Sequence, residues 1–339
     1  MKKLPFPRQL IEKFPLSERD QKFIAQSRKT SANIVRGNSE KKALIVGPCS
    51  IHDPESTIEY AKKLKNLSEK LEKFFPIMRL FIEKPRTSGG WKGFLYDPDL
   101  KGRGDIAKGL ELSRELLLEL TKIEVPCAIE LLDPLVSPYL EDLICWGMIG
   151  ARTSASQVHR QLASGLKFPI GFKNSIHGEL DVAIHGILSS KDSHTHLSVD
   201  QSGYICQKVT SGNGLSHLVL RGSNTKTNYD PASLELARKH LEKEGLNPMV
   251  LIDCSHGNSQ KNHLLQAQVF RTCVEQIPHG GIFGLMLESH LFPGKQSLSK
   301  NLTYGVSVTD SCIGWSETEE LVFWAEELLS PISMSSVHK

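Results

Sequence analysis

The stretch ALIVGPCSIHD, residues 43–53, sets how the whole chain is read. An apolar run at 43–46 is followed by a Gly47-Pro48 break and by Cys49. Asp53-Pro54 then has the form of a helix start, with Asp53 as N-cap and Pro54 at the first helical position. A buried strand that hands over to a helix is one half of a strand–helix repeat. A cysteine at that junction is either core filler or a ligand presented at a rim, and the stretch alone leaves both readings open.

Outward from it the same unit recurs. Ile58, Ala61, Leu64, Leu67, Leu71 and Phe74 keep helical spacing up to Pro76. Strand-like runs follow at 77–82, 126–131, 148–151, 168–172, 218–220, 249–252 and 282–287. Helical segments are expected over 106–122, 137–146, 157–164 and 180–188, and before each of the last two strands. A final helix reaches about residue 329, with Ser316 and Glu319 as its expected capping box. Two β-like runs, 195–199 and 204–209, are split by Asp200-Gln201-Ser202-Gly203 and read as a hairpin. Eight apolar strands, most of them separated by helices, argue for an α/β fold, a (β/α)8 TIM barrel with its strands parallel. The hairpin is then an insertion before strand six. Residues 1–40 are expected to form a short N-terminal arm, polar and proline-rich over 1–15, with a helix over 17–34. Residues 41–331 form the barrel, and 332–339 a frayed tail.

Composition supports this and removes other classes. The chain has 339 residues, 39% hydrophobic and 23% charged, enough for a sizeable core and against global disorder. Lys+Arg number 41 against 38 Asp+Glu, a net +3, too balanced for a nucleic-acid binder. The seven cysteines, at 49, 127, 145, 206, 254, 273 and 312, are odd in number, irregular and without CxxC. They fit free thiols in a reducing, cytoplasmic setting. No apolar run approaches membrane-spanning length, and MKKLPFPRQLIEKF has no apolar signal core, so no membrane partner is expected.

In a TIM barrel the active site lies at the C-terminal ends of the strands. The residues there are Cys49, the Lys84-Pro85-Arg86-Thr87 run, Glu130, Arg152, Lys173, Arg221, Asp253 with His256, and Glu288 with His290. A single charge at a strand end is cheap, because it meets solvent; a full ring of such groups points to a site. Arg79, Lys84, Arg86, Arg152, Lys173 and Arg221 are cations suited to phosphate and carboxylate, although Arg79 falls inside the second strand run. With a net charge of +3, that ring is local and implies an anionic small molecule. Cys49, His256, Glu288 and Asp310 offer a thiolate, an imidazole and two carboxylates, which together can bind a divalent transition metal. Their spacing carries no signal of its own: Cys49 could be core and Asp310 a helix cap.

The motifs GPCSIHDP (47–54), EKPRTSGGWKG (83–93), GARTSASQVHRQLASGL (150–166), PIGFKN (169–174), LRG (220–222), DCSHGNS (253–259), ESHL (288–291) and SVTDSCIGW (307–315) occur in this order. Together they resemble the class I alpha branch of 3-deoxy-D-arabino-heptulosonate 7-phosphate (DAHP) synthase, over about residues 10–330. The resemblance implies a (β/α)8 barrel and a transferase. It would condense phosphoenolpyruvate with erythrose 4-phosphate and water, release phosphate and open the shikimate pathway. It implies one divalent metal ion (Mn, Fe, Co or Zn) on Cys49, His256, Glu288 and Asp310. It puts phosphoenolpyruvate on Arg79, Lys84, Arg152, Lys173 and Arg221, and erythrose 4-phosphate on Lys84, Pro85, Arg86, Thr87 and Ser154. Lys84 and His256 are the proton-transfer candidates, with Cys49 bound as thiolate. A homodimer or homotetramer is expected. The arm before Glu12 is short, and Lys167 and His196 stand where the family favours small and aromatic residues, while Ser198 is retained. Weak or absent inhibition by phenylalanine or tyrosine is therefore expected.

Three rivals remain. A 3-deoxy-octulosonate 8-phosphate synthase acting on arabinose 5-phosphate is opposed by the KPRT run. A class I aldolase would use Lys173 as a Schiff base. A non-catalytic barrel with a regulatory or binding role is opposed by the intact ligand set.

Overall fold

A computed structural model describes residues 2–86 and 88–330. Helix α1 (Pro7–Lys13) lies inside the segment expected to be a plain arm. Helix α2 (Glu18–Val35) follows, started by a Ser17–Asp20 capping box. The barrel then runs β1 (Lys42–Gly47), α3 (Pro54–Ser68), β2 (Phe74–Arg79), α4 (Ile106–Lys122), β3 (Cys127–Glu130), α5 (Ser137–Leu140) and β4 (Trp146–Ile149). It continues with α6 (Gln157–Ser164), β5 (Ile170–Lys173), α7 (Asp181–Lys191), the hairpin β6 (Thr195–Val199) and β7 (Ile205–Val209), and β8 (Ser216–Leu220). Helix α8 (Pro231–Lys243), β9 (Val250–Asp253), α9 (Gln266–Gln276), β10 (Ile282–Glu288) and α10 (Trp315–Leu329) complete it.

Eight parallel strands close in the order β1-β10-β9-β8-β5-β4-β3-β2, and β6-β7 stands apart as a two-stranded antiparallel sheet. The TIM barrel and the hairpin inserted before its sixth strand are as expected. Asp53 caps α3 through the Glu55 and Ser56 amides at 3.1 and 3.2 Å. No helix among the described residues is long and apolar enough to cross a membrane.

Three local expectations are corrected. Phe74 and Pro76 belong to β2, not to the preceding helix, so β2 ends at Arg79 instead of residue 82. Proline is tolerated there because pairing with β3 begins only at Met78, whose N–H reaches the Pro126 carbonyl at 2.7 Å. Residue 76 has the same parity, so its missing N–H faces the gap below β3. The helix expected over 137–146 is one short turn, and Trp146 already opens β4. The Ser316–Glu319 capping box does not form, because Gly314 is the N-cap and makes no side-chain cap bond. The tail 332–339 lies outside the described residues.

Strand period two sorts the barrel into two cores. One set of buried residues packs between strands and helices. The other lines the interior: Ala43, Ile45, Ile77, Ala128, Trp146, Met148, Val219, Leu251 and Met286, with Ile34 and Val35 of α2 closing the N-terminal end. Two residues above members of this inner set stand Gly47, Arg79, Glu130, Gly150, Arg221, Asp253 and Glu288, and on β5 Lys173 stands two above Gly171. The uppermost inward layer of an apolar barrel is therefore almost entirely charged.

Candidate active site

The strands β1 and β10 are neighbours, in a register that pairs Gly47 with Glu288. The chain turns after Gly47 and brings Cys49 beside Glu288. Gly47 has φ +152, and a Cβ there would stand 2.9 Å from the Arg79 carbonyl, so the close approach needs glycine. Asp310 comes from the segment after β10. Ligand atoms of Cys49, Glu288 and Asp310 all lie within 4.8 Å of one another, with Cys49 Sγ 3.4 Å from Asp310 Oδ2. His256 is outside this three-way group but adjoins it, with Nε2 3.7 Å from Glu288 Oε1. The residue sits at φ +55, in the left-handed region, with its carbonyl held by the Lys261 amide at 2.7 Å.

A thiolate and two carboxylates this close would repel one another, and a cation would resolve the conflict. Burial and nearby Glu288 push the Cys49 thiol up to about 12, against the pull of Lys84. Burial alone would raise the Asp310 carboxyl; Lys84 and His256 outweigh it and hold it below the usual carboxylate value. The donor types and their convergence fit a divalent transition metal, whose charge would favour the thiolate.

The floor is tied by buried ion pairs. Arg79 is fully buried; its Nη2 lies 2.8 Å from Glu288 Oε1 and 3.0 Å from the Cys49 carbonyl. Its guanidinium also covers the Phe81 ring, with Cζ 3.8 Å from the centroid. Lys84 Nζ lies 2.9 Å from Cys49 Sγ and 3.8 Å from Asp310 Oδ2. Burial disfavours that ammonium, but Cys49 and Glu288 outweigh it and hold its pKa above the ordinary lysine value. Lys173 Nζ meets Asp253 Oδ2 at 2.6 Å, and burial moves this ammonium's pKa down despite the pair.

Above the floor is a cavity of about 520 Å3. Its walls carry Arg79, Lys84, Arg86, Arg152, Lys173 and Arg221, the complete expected set of cations, along with Pro85. They differ in how far they are committed. Arg79 is already paired. Arg221 is buried, with one contact to the Gly222 carbonyl at 3.3 Å, and burial lowers its pKa. Arg86 and Arg152 are exposed. Arg86 Nε is anchored to the Trp91 carbonyl at 2.8 Å, so the Gly-rich loop folds back and steadies the run that carries it.

Ser154 is placed apart from the other expected contacts. Ser154 is fully buried, and its hydroxyl shares its one hydrogen between the Gly150 and Lys173 carbonyls, at 3.1 and 2.8 Å. It braces the backbone and is not in the cavity wall. Thr87 lies outside the described residues.

Sequence reading gave no role to three buried partners. Gln266 clasps the Glu288 backbone, accepting from its N–H at 2.9 Å and donating to its carbonyl at 3.2 Å. Glu130 lines the cavity among the cations, and a Cβ on Gly150 would stand 2.3 Å from its Oε1. Asp253 underlies both Lys173 and His256. Asp253 and Glu130 were visible as strand-end acids; nothing in the sequence marks Gln266.

Comparison with known proteins gives a uniform result. The DAHP synthetase I family model matches residues 17–322. A putative phospho-2-dehydro-3-deoxyheptonate aldolase from Schizosaccharomyces pombe is 47% identical over 303 residues, 87% of this chain and 82% of that protein. A Tyr-sensitive phospho-2-dehydro-3-deoxyheptonate aldolase from Escherichia coli is 43% identical, covering 93% of this chain and 90% of that one. The solved structure of the phospho-2-dehydro-3-deoxyheptonate aldolase from Francisella tularensis superposes with a TM-score of 0.95 at 45% identity, covering 97% of both chains.

Proposed function

The chain belongs to the DAHP synthetase I family, and from that premise we propose how its cavity works. As a DAHP synthase it joins phosphoenolpyruvate to erythrose 4-phosphate at the entry to the shikimate pathway. The observation that carries the mechanism is the meeting of three metal-type donors and six cations at one barrel mouth.

Arg152, Lys173 and Arg221 bind phosphoenolpyruvate through its phosphate and carboxylate. Lys84, Pro85, Arg86 and Thr87 bind the phosphate end of erythrose 4-phosphate. Arg79 acts beneath them, because its guanidinium is spent on holding Glu288 and the Cys49 backbone. Cys49, His256, Glu288 and Asp310 would hold one divalent ion, Mn, Fe, Co or Zn; when bound it supplies Lewis-acid polarisation of the aldehyde oxygen. Carbon three of phosphoenolpyruvate forms a bond to the aldehyde carbon. The resulting alkoxide takes a proton from Lys84, whose Nζ is held protonated beside Cys49 and Asp310. Water adds at carbon two, giving one proton to the Lys84 amine left by the first step; cleavage of the carbon–oxygen bond then releases phosphate, which carries away the second proton of that water.

A Schiff base on Lys173 fits the geometry poorly, since its ammonium is salt-bridged to Asp253 at 2.6 Å. Lys167 and His196 favour weak inhibition by aromatic amino acids, in contrast to the relative named Tyr-sensitive. The exposed Leu197, Ile205 and Val209 on one face of the hairpin favour a homo-oligomer, dimer or tetramer.

The deciding experiment follows phosphoenolpyruvate consumption with erythrose 4-phosphate, with arabinose 5-phosphate and with neither, before and after chelation and Mn2+ return. Consumption that needs erythrose 4-phosphate and metal is expected. Equal turnover of arabinose 5-phosphate would favour the octulosonate reading, and activity unaffected by chelator would remove the metal.

A further inference from the structure

We infer that Asp253 is a positioning residue that joins the two halves of the site, setting the Lys173 ammonium and the tautomer of His256 through one carboxylate oxygen. This rests on the reading of Lys173 as a phosphoenolpyruvate contact and His256 as a metal ligand.

Asp253 is the last residue of β9 and is fully buried. Its Oδ2 lies 2.6 Å from Lys173 Nζ and 2.9 Å from His256 Nδ1. Its Oδ1 accepts from the Ser255 hydroxyl at 2.6 Å and the Ser255 amide at 3.0 Å. The same hydroxyl oxygen is 2.7 Å from His256 Nδ1.

The proton positions follow from counting donors. A serine hydroxyl has one hydrogen, and Asp253 Oδ1 is the neighbour that can only accept. With that hydrogen on Oδ1, His256 Nδ1 faces two acceptors, Asp253 Oδ2 and Ser255 Oγ. Nδ1 therefore carries the imidazole hydrogen. A ring carrying that single hydrogen presents a lone pair at Nε2, 3.7 Å from the Glu288 carboxylate. Two acceptors facing each other at that distance suit a cation between them. A carboxylate that fixes a ligating histidine in this way normally raises metal affinity.

On its other side the same oxygen takes one hydrogen of a buried ammonium, and the remaining donors of Lys173 serve the cavity it lines. Because both partners share Oδ2, one small displacement of this carboxylate misplaces both. A residue that only stabilised the barrel would have no reason to link metal affinity to anion affinity.

Asp253→Asn keeps the shape and removes the charge. Its amide oxygen can replace Oδ2 for Lys173 and His256 only by turning the NH2 toward the Ser255 N–H, donor against donor; the opposite rotamer takes the acceptor from both partners at once. Calorimetric titration of metal-free protein with Mn2+ is expected to weaken about 10–100-fold in this variant. Titration of metal-free protein with phosphoenolpyruvate should weaken in parallel, while far-UV circular dichroism stays native. Ser255→Ala, which removes only the support on Oδ1, should weaken Mn2+ binding by less. Should Asp253→Asn not fold, two-dimensional 15N–1H spectra of histidine-labelled wild-type protein without metal decide the matter: His256 should carry its hydrogen on Nδ1. A folded Asp253→Asn with either dissociation constant within about twofold of wild type, ~0.4 kcal/mol, would overturn the assignment. So would an Nε2–H tautomer at His256. These readouts involve no erythrose 4-phosphate, so they stand apart from failure of the condensation assay, which would fail the functional reading instead.

Discussion

The two ends of this barrel are made by the same strands and use opposite chemistry. At the N-terminal end, Ile34 and Val35 of α2 seal an interior of Trp146, Val219, Leu251 and Phe283. At the C-terminal end, two residues further along several strands, the inward layer is Arg79, Glu130, Lys173, Arg221, Asp253 and Glu288. The apolar end is held by packing alone. The charged end survives burial because its deepest members are matched, Arg79 with Glu288 at 2.8 Å and Lys173 with Asp253 at 2.6 Å. Such pairs gain little net stability over apolar packing, but breaking one is costly. Charge is therefore carried into the barrel to hold geometry, and the exposed cations above it are left free for ligands.

The contrast can be broken most sharply at the metal corner. Cys49→Ser should stay folded by circular dichroism yet lose at least ~100-fold in Mn2+ affinity, more than a supporting residue would cost, and most activity with it. Wild-type Mn2+ affinity in that variant would remove Cys49 from the donor set. Next is the buried pair. Arg79→Met leaves Glu288 without its cation and should cost about 3–5 kcal/mol in urea unfolding. A loss below about 1 kcal/mol would mean that Glu288 is neutralised another way.

The apolar end has its own titration. His217 lies among Trp146 and Phe283, and burial lowers its pKa to about 4. The folded-state value is below the unfolded one of about 6.5, so the neutral ring favours folding. Its contribution is complete above pH about 6.5 and is lost as pH falls towards 4, on the order of 3 kcal/mol. His217→Leu should flatten stability over that window; an acid limb as steep as in wild type would show that other groups cause it. The smallest effect belongs to the exposed rim. Arg86→Met should leave stability within about 0.5 kcal/mol and raise KM for erythrose 4-phosphate roughly 10-fold, one charged hydrogen bond's worth. An unchanged KM would move the phosphate elsewhere.

Much of this was legible because strand alternation is local. Apolar runs that end in Cys49, Lys173, Arg221, Asp253 and Glu288 announce both the barrel and its charged rim. What failed was local ambiguity or distant pairing. Phe74 and Pro76 resemble a helix ending, so the sequence puts the second strand late and Arg79 within it, where its side of the barrel is not legible. In the fold it is the strand's last residue and belongs to a carboxylate 209 positions away. Ser154 sits within a recognisable motif, but only the packing of β5 shows that its hydroxyl is used by backbone. The Gln266 clasp on Glu288 has no periodicity and no charge to betray it.

The pairing of β1 with β10 has a consequence in time as well as in space. It joins the first strand to the last, Gly47 beside Glu288. During synthesis, at about 5–20 residues per second, Cys49 leaves the ribosome some tens of seconds before Glu288 and Asp310 follow. Until then the nascent chain has a thiol, an unclosed sheet edge and an unpaired Arg79. The donor set and the final seam are completed together, so an interrupted chain holds neither a closed barrel nor a competent metal corner.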